Sequence, residues 1–125
     1  MSGADQRMPE IASVTAEQCR DMGEVRAEID RLDRQLVALI AERTRYIEAA
    51  ARIKPSADDV RVEWRIQDVL DKVAVSAGQS DLPIEIALPV WKELVERSIA
   101  HEAVVWRSIR AGSDGESGDQ STGAG

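Results

Sequence analysis

Two basic residues lie where an otherwise apolar helix face should continue. Apolar residues recur at three- and four-residue spacing through Leu36 and Leu39, and the next position of the series is Arg43. Lys54 is the last residue on the same helix face. Removing an unpaired guanidinium or ammonium group from water costs several kcal/mol, so each of these cations requires an anion beside it.

Further polar residues interrupt the other predicted helices. Ser98 and Glu102 continue the apolar series of the third helix, while Arg61 and Arg65 lie one turn apart on the second. Arg26 lies near the start of the first helix, one position beside its apolar face. The inward acids are too few to neutralise this set of cations.

These charges admit two interpretations. In the first, Arg43 pairs with Glu102 in the core and the other basic residues are solvated. In the second, the cations line a pocket for a small polyanion. A planar guanidinium donates two parallel hydrogen bonds to a carboxylate, so the second interpretation favours a small dicarboxylate as the ligand.

The sequence lacks the residue patterns of several other kinds of catalytic site. The single histidine, His101, has neither Cys19 nor an acidic residue at metal-ligand spacing beside it. The sequence holds no Ser-His-Asp arrangement, no glycine-rich phosphate loop and no Cys-x-x-Cys motif. We therefore expect neither a metal nor a cofactor. The three tryptophans are expected to serve packing: Trp64, Trp91 and Trp106.

Three helices must position these residues, over residues 23–54, 60–77 and 83–110. Pro55 ends the first helix and Gly78 is a plausible stop for the second. No strand pattern competes, so the predicted fold class is all-α. The apolar faces are, in order, Val25, Ile29, Leu32, Leu36, Leu39, Ile47 and Ala50; Val62, Ile66, Val69, Leu70 and Val73; and Ile84, Leu88, Trp91, Val95, Ile99 and Val105.

Length and charge bound the class of protein. The chain of 125 residues fits one domain, and its net charge of −7 argues against a nucleic-acid partner. Residues 1–22 form an N-terminal extension, and residues 111–125 form an acidic Gly/Ser-rich tail that we expect to be disordered. The helical domain, residues 23–110, contains the candidate site.

Cysteine usage and hydropathy indicate a compartment. One cysteine permits no intrachain disulfide, which is typical of a reducing environment. No apolar run approaches the length of a membrane span, and the N-terminus has no apolar signal-peptide segment. We therefore expect a cytoplasmic protein without a membrane partner.

The first helix is too long for a single small domain to cover. A helix of about 31 residues spans roughly 46 Å, which exceeds the diameter of a compact domain of about 88 residues. Two shorter helices leave part of its apolar face uncovered. The simplest solution is a homodimer, an intertwined two-fold arrangement with the long helices side by side.

Three stretches of the chain resemble the all-helical (AroQ-type) chorismate mutases, over about residues 23–110. The first helix of that family is similar to EVRAEIDRLDRQLVALIAERTRYIEAAARIK, in which an Arg, the ID-x-LD pattern and a closing Lys recur. The second is similar to VRVEWRIQDVL and the third to IALPVWKELVERSIAHEAVVWR. The isochorismate-pyruvate lyases are a branch of the same fold.

The resemblance implies a role for each basic residue on the first helix. Arg26 matches the arginine that reaches into the partner's active site, where it binds the enolpyruvyl carboxylate together with Lys54. Arg43 matches the arginine on the ring carboxylate. Lys54 also donates to the ether oxygen. Because Arg26 reaches into the partner's site, the implied active sites are shared between two protomers.

The other helices complete the implied site. Arg65 matches the second-helix arginine, Ser98 a serine near the ring carboxylate, and Glu102 the Gln or Glu that faces the ether oxygen. Ile66 stands where many family members have a Glu that contacts the ring hydroxyl. The accepted ring substituent therefore stays open between chorismate, isochorismate and 4-amino-4-deoxychorismate.

The reaction implied is the pericyclic rearrangement of chorismate to prephenate, which uses no cofactor. Lys54, Glu102 and Arg43 are the implied catalytic residues, and Glu102 must be protonated to donate to the breaking ether bond. The alternatives are an aminodeoxychorismate mutase or an isochorismate-pyruvate lyase. From another class, a non-catalytic helical dimerisation module explains the long helix, but it does not explain cations on inward faces.

Overall fold

The computed structural model describes the backbone of residues 10–122 and the side chains of residues 10–112. Three α-helices make up most of this part of the chain: α1 (Met22–Ile53), α2 (Glu63–Gln79) and α3 (Ile84–Thr122). Short 3₁₀ turns precede α1 and α2, at Ala16–Gln18 and Ala57–Asp59. The described residues contain no strand, which confirms the all-α prediction.

Local signals explain both ends of α1. The Asp21 carboxylate accepts a hydrogen bond from the Glu24 amide at 2.9 Å, and the Glu24 carboxylate accepts one from the Arg20 amide at 2.7 Å. These two bonds satisfy amides that a helix start leaves without partners. At the other end Pro55 has no N–H with which to extend the helix. The observed bounds lie within one residue of those predicted.

The end of α2 differs from the prediction. Gly78 lies inside the helix, and the left-handed residue is Asp81, with φ of 56°. The Leu82 amide donates to the Ala77 carbonyl at 2.8 Å and the Asp81 amide to the Gly78 carbonyl at 3.4 Å. This pair of bonds is the Schellman motif, here with an aspartate at the position that usually holds glycine. The stop is therefore three residues later than predicted.

The end of α3 also differs from the prediction near Arg110. The helix runs on through Thr122, and the segment that follows Arg110 contains no proline that would stop it. Side chains from residue 113 onward lie outside the described part of the chain. The disorder predicted for residues 111–125 stays a prediction.

The chain divides into two compact units, residues 1–46 and 47–125. In the first, residues 10–14 lie along α1. The Glu10 carboxylate accepts two hydrogen bonds from Arg34, at 2.8 and 3.1 Å, and the Glu10 carbonyl accepts one from Gln35 at 2.6 Å. The Glu28 carboxylate accepts from Arg31 and from two extension amides, and these bonds lower the pKa of Glu28, the Arg31 bond most of all.

The apolar face of α1 in the first unit is exposed in the single chain. Ile29, Leu32, Leu36 and Leu39 are each between 46% and 61% exposed. A face of this kind lies against another surface in most proteins, since contiguous exposed apolar patches mark interaction sites. It supports the expectation of a partner chain, which stays a prediction.

The core of the second unit is small and consists of alanine and valine. Its buried apolar residues are Ala51, Val60, Ala77, Ala87 and Val95. Trp64 is 71% exposed, so its predicted packing role is wrong within one chain. Among the described residues, no helix is both long enough and apolar enough to cross a membrane.

Candidate active site

An ion pair between Lys54 and Glu102 lies at the centre of the second unit. The Lys54 Nζ atom is 2.7 Å from Glu102 Oε2 and 3.4 Å from the carbonyl oxygen of Val60. Lys54 immediately follows α1, Val60 lies in the loop before α2, and Glu102 is on α3. The ammonium group is therefore held where three segments of the chain meet.

Glu102 is almost completely removed from solvent. The residue is 3% exposed, and Ser98, one turn earlier on the same face of α3, is 9% exposed. The predicted inward orientation of these two residues is thus confirmed. Glu102 forms an ion pair with Lys54, a pair that neither interpretation of the sequence predicted. Periodicity identifies the face of a helix but not the residue opposite it.

One carboxylate oxygen of Glu102 lacks a well-aligned hydrogen-bond donor. Glu102 Oε2 is buried and, within the described part of the chain, accepts no hydrogen bond of good geometry despite its short distance to Lys54. A buried acceptor without a well-aligned donor is costly, and such atoms are few in folded proteins. A carboxyl group in this position is suited to meet a ligand, as acceptor when ionised and as donor when protonated.

Arg65, the arginine of α2, is engaged elsewhere in the free protein. Arg65 forms an ion pair with Asp68, which also pairs with Lys72 at 2.8 Å. Together Lys72 and Arg65 lower the pKa of Asp68. Ile66, beside Arg65, is half-buried. The structure does not bring Arg65 to the Lys54–Glu102 pair, and its assignment to the substrate stays a prediction.

Arg61 has a structural partner that the sequence did not reveal. Its guanidinium donates to both carboxylate oxygens of Glu96 at 3.0 Å and to Glu63 at 2.7 Å. These two acids raise the pKa of Arg61, Glu96 most of all. The bidentate bond ties the segment before α2 to α3 and so holds the loop that contains Val60.

Trp106 and Arg110 contact the backbone of Lys54, an arrangement that was not predicted from the sequence. Trp106 Nε1 donates to the Lys54 carbonyl at 2.9 Å, and Arg110 Nη2 donates to the same oxygen at 2.7 Å. Trp106 was predicted to serve packing only. The signal that could have revealed Arg110 is Pro55, because a proline leaves a carbonyl of the preceding helix without its usual donor.

The remaining predicted site residues belong to the first unit. Arg26 is exposed in the second turn of α1, and Arg43 is half-buried further along the same helix. Both residues lie on the helix whose apolar face is exposed in the single chain.

The reactive side chains set aside above have ordinary surroundings. His101 Nε2 lies 2.7 Å from a carboxylate oxygen of Glu48 at the surface. Burial and the nearby Glu24 carboxylate raise the pKa of the Cys19 thiol, which makes it a poor nucleophile. Within residues 10–112, no group of three or more His, Cys, Asp and Glu side chains could hold a metal ion.

Comparison with known proteins gives two findings. Residues 25–103 match the family described as chorismate mutase type II. The chain is also similar to an isochorismate pyruvate lyase of Pseudomonas aeruginosa, with 27% identity over 96 residues, which span 77% of this chain and 95% of the relative. The family match includes Lys54, Ser98 and Glu102 and covers more than half of the chain. This protein therefore belongs to the chorismate mutase type II family of all-helical enzymes.

Proposed function

We propose that this protein is a chorismate mutase, an isomerase that rearranges chorismate to prephenate. The observation that carries the proposal is the Lys54–Glu102 pair, an ammonium group 2.7 Å from a carboxyl group that is almost fully buried. The rearrangement breaks one C–O bond and forms one C–C bond within the same molecule. It needs no nucleophile, so the residues only have to select a conformer and stabilise charge.

Each residue of the pair has a defined task in this reaction. Negative charge grows on the ether oxygen as its bond to the ring breaks, and Lys54 donates to that oxygen. Glu102 donates to it as well, which requires a proton on its carboxyl group. In this proposal the Lys54 ammonium also donates to the enolpyruvyl carboxylate of the substrate.

The two carboxylates of the substrate need further cations. We assign the ring carboxylate to Arg43, with Ser98 nearby, and the enolpyruvyl carboxylate to Lys54 and to Arg26 of a second protomer. Arg65 leaves Asp68 in this proposal and turns to the substrate. The exposed apolar face of α1 supports a second copy of the chain as the occupant, because burying it accounts for both the face and the position of Arg26.

A second candidate is an isochorismate-pyruvate lyase. The similarity to a relative of that name favours it, and Ile66 offers no acid for the ring hydroxyl of chorismate. The same cations would bind isochorismate, and the products would be salicylate and pyruvate. The two reactions therefore differ in the ring substituent of the substrate and in the products, and not in the cations that bind the carboxylates.

Product identification tests the proposal. The purified protein is incubated separately with chorismate, isochorismate and 4-amino-4-deoxychorismate, and the products are identified by liquid chromatography and mass spectrometry. Prephenate at a rate far above the spontaneous one supports the mutase. Salicylate with pyruvate would transfer the assignment to the lyase, and an amino-prephenate to the aminodeoxy mutase. A protein inert towards all three is the result expected of a dimerisation module.

Glu102→Gln is expected to change the pH dependence of the reaction. The carboxyl group donates to the ether oxygen only when protonated, and its ionised form repels the developing charge. Activity of the natural protein should therefore fall as rising pH removes that proton. The glutamine amide donates at every pH, so the variant's profile should be flat and its kcat at alkaline pH higher, by up to about 100-fold.

The control for this experiment is Glu93→Gln, which alters an exposed carboxylate on the same helix. Its kcat–pH profile should match that of the natural protein. If the Glu102→Gln profile also matched it, Glu102 would have no role as a proton-bearing donor.

A further inference from the structure

The C-terminus of α1 poses a hydrogen-bonding problem that Pro55 creates. In a continuing helix the amide of residue 55 would donate to the carbonyl of Ala51, but proline has no N–H. Ala51 is fully buried, so water cannot supply the missing donor. Arg110 Nη1 supplies it at 2.7 Å. A side chain 59 residues further along the sequence thus completes the helix end.

The Arg110 guanidinium also contacts the main chain of Lys54. Arg110 Nη2 donates to the Lys54 carbonyl at 2.7 Å, where Trp106 Nε1 also donates at 2.9 Å. The Arg110 guanidinium stacks over the Trp106 ring, 4.4 Å from its centre. Each side chain restricts the other, and a cation at a helix C-terminus is favoured by the helix dipole.

One face of α3 supplies these donors and the catalytic acid together. Glu102, Trp106 and Arg110 are spaced four residues apart and so lie in one row along the helix. The first contacts the Lys54 ammonium, while the other two hold the Lys54 main chain. A single helix, α3, therefore contacts both the ammonium group and the main chain of Lys54.

We propose that Trp106 and Arg110 are positioning residues that fix the Lys54 backbone so that its ammonium faces the ether oxygen and Glu102. The inference rests on the proposed function for its catalytic consequence. A lysine side chain has four rotatable bonds, and anchoring its main chain reduces the volume that its ammonium explores. Both residues lie beyond the segment that matches the family, residues 25–103, so the family match does not supply this role.

The test compares Trp106→Phe and Arg110→Met with Arg107→Met. Trp106→Phe keeps an aromatic ring and removes only the N–H, and Arg110→Met removes the hydrogen bonds to the Ala51 and Lys54 carbonyls. Arg107 is an exposed neighbour on α3 and serves as the control. We expect kcat to fall about 10- to 100-fold in the first two variants and to be unchanged in the third, measured well below each melting temperature. Arg110→Lys should recover part of the loss.

A double-variant comparison separates positioning from plain stabilisation. A residue that acts through Lys54 has nothing to act on once Lys54 is absent, so Trp106→Phe should not lower kcat further in a Lys54→Met background. A purely structural cap would lower the melting temperature and leave kcat unchanged in the folded variants. That second outcome would overturn the inference while the proposed function stood.

A readout independent of activity completes the experiment. The acetylation rate of Lys54 by an amine-reactive reagent is followed by mass spectrometry, with the exposed Lys72 as internal reference. Trp106→Phe and Arg110→Met should accelerate labelling of Lys54 several-fold relative to Lys72. Unchanged labelling of Lys54 would contradict the positioning role, whether or not the protein is active. A protein inert towards all three substrates would instead refute the proposed function.

Discussion

Replacing Lys54 by methionine is expected to lower kcat/KM for chorismate by about 1000-fold. Loss of one preorganised donor to a developing oxyanion costs about 100- to 1000-fold in rate, and Lys54 is assigned to the substrate carboxylate as well. Methionine keeps most of the apolar stem, so the variant removes the charge and the donor while preserving contacts of the chain. Steady-state kinetics, followed by the loss of chorismate absorbance, measure the effect.

The matched control is Lys92→Met. Lys92 is an exposed lysine on α3, the helix that also contains Glu102, and the proposed reaction does not use it. Its kcat/KM should equal that of the natural protein.

One confounding effect of Lys54→Met has to be removed. The variant leaves the Glu102 carboxylate buried without its cation, which can unfold or distort the second unit. The double variant Lys54→Met/Glu102→Gln removes the unpaired charge and should restore the melting temperature without restoring kcat. Near-natural activity in either folded variant would show that Lys54 is not the donor to the ether oxygen.

The sequence predicted those parts of the fold that depend on neighbouring residues. The bounds of α1 follow from Asp21, Glu24 and Pro55, all within one turn of the helix ends. The inward orientation of Ser98 and Glu102 follows from helical periodicity, and burial confirms it. These features need no knowledge of what lies across the core.

Features that depend on distant residues were not predictable in the same way. The ion pair of Glu102 with Lys54 joins residues that are 48 positions apart in the sequence, and helical periodicity does not reveal which residues meet across a core. Arg110 meets Ala51 and Lys54 across more than fifty residues of sequence. Helical periodicity predicted which residues of α1 share an apolar face. It cannot tell whether the same chain or another one covers that face.

Combining two inactive variants is expected to restore activity if the sites are shared between protomers. Arg26→Ala and Arg43→Ala should each abolish most activity, since each removes a carboxylate-binding cation in the proposed site. In a heterodimer of the two variants, one site receives Arg26 from one chain and Arg43 from the other and is complete. The second site lacks both arginines.

The arithmetic of this complementation is specific. A purified heterodimer should show about half the natural kcat per dimer, and a random mixture of the two chains about one quarter, because half of its dimers are mixed. Chains carrying two different affinity tags allow the heterodimer to be isolated and its composition verified by mass spectrometry. A mixture of Arg43→Ala with Lys54→Met is the control, since both residues are assigned to the same chain's site and no complete site can form. Verified Arg26→Ala/Arg43→Ala heterodimers without recovered activity would contradict shared sites, and would instead require that Arg26 act within its own chain or not at all.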